Sequence, residues 1–202
     1  HHTREPHAGR LVTAKIIPVP LFDLVVFGGT GDLTLRKLLP ALYYRFRDGQ
    51  MPEGSRIVAV ARGALTNRDY LAMVREALGK HVAAADLDQA LLEKFCAALS
   101  FVHLDATKDE GWEALAKALA DGGDRPRVFY LATAPQLFGP ICQHAAAANL
   151  VTPQTRVVLE KPIGTDLASA RQINDEVGKV LHEDQIYRID HYLGKETVQN
   201  IL

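Results

Sequence analysis

Short apolar runs alternate with longer stretches in which apolar residues recur every third or fourth position, from residue 21 to residue 189. The runs at residues 21–27, 56–61, 101–104, 127–131, 156–159 and 185–189 have strand length and are rich in branched and aromatic residues. They are near-continuous apolar runs rather than alternating ones, as strands covered on both faces are. Between the first two, Leu35, Leu38, Leu39, Leu42, Tyr43 and Phe46 form one helical stripe over residues 34–47. Pro40 lies inside that stripe and predicts a kink or a late helix start. Helical patterns also span residues 67–80, 86–98, 108–120, 136–149 and 166–181. The 86–98 pattern opens on an acidic cap, and Gly122-Gly123 ends the 108–120 pattern.

A β-α unit repeated five times and closed by a sixth strand predicts an α/β fold. The expected architecture is a doubly wound, mostly parallel, Rossmann-like sheet of six strands in the order 3-2-1-4-5-6. Residues 1–20, with three prolines and little periodicity, read as a tail. Residues 21–190 read as the dinucleotide-binding domain, and residues 191–202 as the start of a connection out of it. Residues 197–202 look like an amphipathic helix without a stop signal. The expectation is therefore a piece of a longer protein. His1 and His2 are tag remnants or native, and no metal role is assigned to them or to any other residue.

The formal net charge of −1 removes the electrostatic footprint of a nucleic-acid binder. No apolar run reaches the roughly 18 residues of a membrane span, and no secretory signal opens the chain. The sequence thus reads as cytoplasmic, with no membrane partner. Its two cysteines, Cys96 and Cys142, sit in apolar helical stretches and read as buried thiols, with a disulfide or redox pair as the alternative.

The chemistry gathers at strand ends. The first strand runs into Gly28-Gly29-Thr30-Gly31-Asp32-Leu33 and then a helix. Glycines let a backbone turn tightly against a pyrophosphate, and the helix start offers unpaired N–H groups. The spacing is GxxG rather than GxGxxG. Where an acidic residue after the second strand would select NAD, this chain has Arg62, suited to a 2′-phosphate. That points to NADP and leaves dual use of NAD open. The fifth strand ends in Glu160-Lys161-Pro162, and the sixth in Arg188-Ile189-Asp190-His191-Tyr192-Leu193-Gly194-Lys195-Glu196. Both ends lie at the carboxyl edge, where doubly wound sheets bind ligands. Lys161 and Asp190 are expected to face the crevice that takes the nicotinamide. His191 and Lys195, near a helix start, are expected to form an anion site.

The glycine turn, followed by Arg36-Lys37-Leu38-Leu39-Pro40-Ala41-Leu42-Tyr43, resembles the coenzyme motif of the glucose-6-phosphate dehydrogenase family. Glu160-Lys161-Pro162 and the nonapeptide at residues 188–196 resemble its second and third signatures. The resemblance runs from about Leu21 to Leu202 and accounts for Pro40, which the family carries. It implies oxidation of glucose 6-phosphate at C1 to 6-phosphogluconolactone, with transfer of a hydride to NADP, in the pentose phosphate route. It implies that the turn from Gly28 to Leu35, with Gly28, Gly29, Thr30, Gly31, Asp32 and Leu33, holds the coenzyme phosphates, and that Arg62 holds the 2′-phosphate. Asp105 and Ala106, with Thr133-Ala134-Pro135, would line the adenosine and nicotinamide sides. Lys161 would sit between coenzyme and sugar, His191, Tyr192 and Lys195 would hold the sugar phosphate, and Asp190 would orient the general base. Pro162 would follow a cis peptide. The family's base is a histidine in a β+α domain downstream of the nonapeptide, which also forms the homo-oligomer interface. The resemblance therefore implies that this C-terminal domain is missing here and that the chain alone is inactive.

Three rivals differ in chemistry. A glucose-fructose oxidoreductase type shares Glu-Lys-Pro but not the nonapeptide. A short-chain reductase wants Tyr-x-x-x-Lys, and Tyr192 and Lys195 are one residue too close. A non-catalytic nucleotide sensor would bind NADP without needing Lys161 or Asp190.

Overall fold

A computed structural model describes residues 19–190. Six parallel strands form one sheet: β1 (Asp23–Phe27), β2 (Arg56–Ala61), β3 (Leu99–His103), β4 (Arg127–Leu131), β5 (Thr155–Glu160) and β6 (Ile186–Ile189). Their order is β3-β2-β1-β4-β5-β6, the doubly wound order expected from the sequence. Every residue of the central strand β1 is buried, and all but Asp23 are apolar.

Alternate residues of β1 feed two cores. Leu24 and Val26 pack into one with α1 (Leu39–Arg47), α2 (Asn67–His81) and α3 (Gln89–Ala97). Val25 and Phe27 pack into the other with α4 (Trp112–Ala118), α5 (Phe138–Ala147) and α6 (Leu167–Gly178). Cys96 lies in the first core and Cys142 in the second, so the sheet separates two free thiols. Burial pushes the Cys142 thiol up to about 12. Among the described residues, no helix is long and apolar enough to cross a membrane.

Several element ends differ from the sequence reading. The first α-helix starts late, at Leu39 rather than Thr34, one of the two outcomes that Pro40 predicts. A π-type turn at Thr34–Leu38 makes Leu39 N–H donate to Thr34 O, and α1 follows with Pro40 in its first turn, where a missing N–H is harmless. The cap of α3 is Asp88, which accepts from Ala90 and Leu91 N–H, not Asp86. The Asp86 carboxylate is taken by Tyr44 Oη (2.9 Å) and Arg47 Nη1 (3.1 Å). The third strand starts at Leu99 rather than residue 101, because an edge strand tolerates Ser100. The fourth helix starts at Trp112, after the 105–111 loop, and the last ends at Gly178.

The amino edge of the sheet is closed by charge. Asp23 is fully buried and accepts from Arg56 Nε and Nη2, both at 2.8 Å, and from Arg125 Nη1 at 3.2 Å. Those arginines also donate to loop carbonyls: Arg56 to Ala120, and Arg125 to Gly122 and Gly54. Arg127 donates to Leu150 O.

Candidate functional site

At the opposite edge, the loops after β1, β2, β3 and β4 surround a crevice of about 510 Å³. Gly28 begins it with φ +86°, and a Cβ there would lie 2.2 Å from Ala132 O. A Cβ on Gly29 would lie 2.6 Å from the Ala59 side chain. The turn therefore presses between β2 and β4 at a distance that only glycines permit. Both glycine amides donate to Val60 O at 2.9 Å, which fastens the turn to β2. The Gly28 carbonyl accepts from Gly31 N–H and from the buried Thr34 hydroxyl. The Gly29 carbonyl accepts from Tyr70 Oη at 2.8 Å.

Thr30 and Gly31 line the crevice beyond the turn. Arg62, just past β2, stands exposed on its rim. Asp105 and Ala106 form the wall after β3. The Asp105 carboxylate accepts from Thr107 Oγ1 (2.7 Å) and N–H (3.0 Å), and the hydroxyl, then the amide, hold its pKa below the ordinary carboxylate value. Thr133 and Ala134, followed by Leu137 and Ile141 at the start of α5, form the other wall.

Two strands further on, Glu160 pairs in register with Ile189. Lys161 N–H then donates to Ile189 O at 2.7 Å, extending the pairing by one residue. This brings Lys161 Nζ to 3.5 Å from Asp190 Oδ1, with both side chains exposed. The Lys161–Pro162 peptide is cis. Glu160 accepts from Tyr130 Oη at 2.7 Å. Arg188 is bound to Asn174 and Glu183, away from the Lys161–Asp190 pair.

The sequence-derived site residues thus fall into groups. Gly28, Thr30, Gly31, Arg62, Asp105, Ala106, Thr133 and Ala134 meet around one crevice. Gly29 lies buried behind it. Asp32 and Leu33 do not line it. Asp32 is 81% exposed and pairs with Arg36 at 3.0 Å, beside a separate small groove. Lys161 and Asp190 meet each other but are not among the crevice's lining residues. His191, Tyr192 and Lys195 lie outside the described residues. Sequence reasoning missed Leu137, Ile141 and Tyr70, whose apolar or aromatic character carries no signal beyond core packing. Among the described residues, no group of three His, Cys, Asp or Glu side chains is placed to hold a metal ion.

Comparison with known proteins agrees with this geometry. Residues 25–200 match the family model described as glucose-6-phosphate dehydrogenase, NAD binding domain. The chain is 50% identical over 191 residues to the glucose-6-phosphate 1-dehydrogenase of Rhizobium meliloti (strain 1021), covering 95% of this chain and 39% of that protein. It is 54% identical over 183 residues to the enzyme of the same name from Gluconobacter oxydans (strain 621H), covering 90% and 37%. A crystal structure of glucose-6-phosphate 1-dehydrogenase from Mycobacterium avium superposes with a TM-score of 0.77 at 37% identity, covering 85% of this chain and 36% of that one. A glucose-6-phosphate dehydrogenase solved in complex with its substrate glucose 6-phosphate also gives 0.77, at 34% identity, covering 90% and 38%. The chain spans less than two fifths of the length of these relatives. With its sheet order, its glycine turn and a family model that matches nearly the whole chain, it belongs to the glucose-6-phosphate dehydrogenase family, whose NAD-binding domain its described residues form.

Proposed function

We propose that the chain is the coenzyme-binding portion of a cytoplasmic, NADP-dependent glucose-6-phosphate dehydrogenase. The whole enzyme would oxidise glucose 6-phosphate at C1 to 6-phosphogluconolactone. The observation that carries this reading is the Lys161–Asp190 pair, 3.5 Å apart at the sheet edge that also holds the nucleotide crevice. An ammonium and a carboxylate beside a coenzyme suit the oxidation of a sugar hydroxyl.

The crevice fits a dinucleotide. Its volume lies in the range of roughly 300–1,000 Å³ typical of ligand pockets. Its glycine turn leaves no side chain between backbone amides and a phosphate, and the exposed Arg62 can hold a 2′-phosphate through paired charge-assisted hydrogen bonds. When bound, NADP supplies the hydride acceptor. Lys161 donates to substrate oxygens between coenzyme and sugar. Asp190 accepts from the general base, a histidine downstream of the nonapeptide, and stabilises its protonated form. His191, Tyr192 and Lys195 hold the sugar phosphate. The 202-residue chain alone then binds coenzyme without turnover, and subunits of the whole enzyme associate through the downstream domain.

Calorimetric titration of the chain with NADP and NAD tests the coenzyme assignment. Arg62→Ala is expected to weaken NADP by about 10- to 100-fold and NAD by less than about threefold. Equal losses for both coenzymes would sink the 2′-phosphate role. In the full-length protein, Lys161→Ala is expected to remove most glucose-6-phosphate oxidation, and an unchanged rate would favour another chemistry.

A further inference from the structure

The geometry points to Tyr70 as a positioning residue for the coenzyme phosphates: its hydroxyl fixes the Gly29–Thr30 peptide so that Thr30 N–H faces the crevice. This rests on the coenzyme reading of the crevice given above.

Tyr70 lies in α2, 41 residues beyond the turn it touches. A capping box of Thr66 and Asp69 sets the start of that helix. The Tyr70 ring is fully buried and stacks on Phe101, with centroids 5.2 Å apart and planes at 25°. It has no room to swing, so the position of its hydroxyl is determined. Burial raises the phenol's pKa, which keeps it a donor throughout the working pH range. That donor meets Gly29 O at 2.8 Å.

The consequence follows from peptide geometry. The Gly29–Thr30 bond is trans, so its carbonyl and its N–H point in opposite directions. With the carbonyl held inward by Tyr70, the Thr30 amide is turned outward, and Thr30 lines the crevice. The other amides of the turn have different roles: Gly28 and Gly29 donate to Val60 O, and Gly31 donates to Gly28 O. Among the described residues, no acceptor is found for Thr30 N–H. An outward amide held ahead of a helix start is the donor that a pyrophosphate oxygen needs. The Thr34 hydroxyl acts similarly on the preceding peptide, holding the Gly28 carbonyl at 2.9 Å.

The test compares NADP, which carries the pyrophosphate, with adenosine 2′-monophosphate, which carries the base, ribose and 2′-phosphate without it. Tyr70→Phe removes one oxygen and keeps the ring. The NADP dissociation constant is expected to rise roughly 3- to 30-fold, while that of adenosine 2′-monophosphate stays within about twofold. An unchanged NADP constant overturns the inference, and so does a proportional loss for both probes, which reports general loosening. If the unsubstituted chain binds neither probe, the coenzyme reading itself has failed and this inference falls with it. A second measurement needs no variant. On adding inorganic pyrophosphate to the ¹⁵N-labelled chain, the Thr30 amide resonance should move while those of Gly28 and Gly29 stay. A stationary Thr30 resonance overturns the assignment.

Discussion

The two edges of the sheet use the same side-chain chemistry in opposite ways. At the amino edge, the Asp23 carboxylate is buried between Arg56 and Arg125, and both arginines also donate to loop carbonyls. At the carboxyl edge, Arg62 stands exposed on the crevice rim, and Lys161 and Asp190 meet only through a 3.5 Å contact between exposed side chains. A densely paired network around a buried carboxylate holds loops in place and leaves little to offer a ligand. A sparsely paired one contributes little to stability and keeps its hydrogen-bonding capacity for a guest. In one sheet, then, the degree of pairing separates the charges that hold loops from those proposed to bind ligand more sharply than their identity does.

The largest expected effect comes from breaking the densely paired edge. Asp23→Ala leaves two arginines gathered around a buried space with no carboxylate. The loss should be about 3 kcal/mol in urea unfolding, near the low end for a broken buried pair because both arginines are partly exposed. NADP affinity under native conditions should change by less than about twofold. A large affinity change with little loss of stability would erase the distinction between the edges. The next largest comes from Gly28→Ala, where strain and function coincide. A left-handed backbone costs an alanine about 1–2 kcal/mol, and its Cβ would also strike Ala132 O. Stability should fall by on the order of 2–3 kcal/mol and NADP affinity by more than about tenfold, as the turn is displaced.

The smallest effect sharpens the comparison at Asp105. Its folded-state pKa is depressed, chiefly by the Thr107 hydroxyl and then by the Thr107 amide. The stability that this carboxylate contributes is present above its unfolded pKa of about 3.9 and is lost as pH falls through the lower folded value. The stability difference between the unsubstituted chain and Asp105→Asn should therefore be constant from pH 7 to about pH 5 and shrink below that. A difference that varies across neutral pH would place the titration elsewhere.

Much of this architecture was legible in the sequence because burial leaves a periodic trace. All six strands are visible as apolar runs, since helices cover both faces of the sheet. The strand ends that carry Lys161 and Asp190 were legible too, since each follows an apolar run directly, but both were expected to face the crevice, and their contact with each other comes from the pairing of β5 with β6. Capping was less so. Asp86 and Asp88 both suit a cap by type, and only the capture of Asp86 by Tyr44 and Arg47 decides between them. Tyr70 was invisible, because a tyrosine in a helical apolar stripe looks the same whether or not its hydroxyl finds a carbonyl 41 residues away. Asp23 drew no reading of its own inside the first apolar run, and nothing near it in sequence announces Arg125, 102 residues on.

The Lys161–Asp190 contact is fixed by strand pairing: Glu160 opposite Ile189, then Lys161 N–H on Ile189 O. The long crossover through α6 between the two strands is not involved in that pairing. Insertions and deletions in the crossover are therefore tolerated as far as this contact is concerned, whereas one residue added inside β6 carries Asp190 to the opposite face of the sheet. Length variation among descendants of this fold should accumulate in the crossover and spare the four residues of the strand.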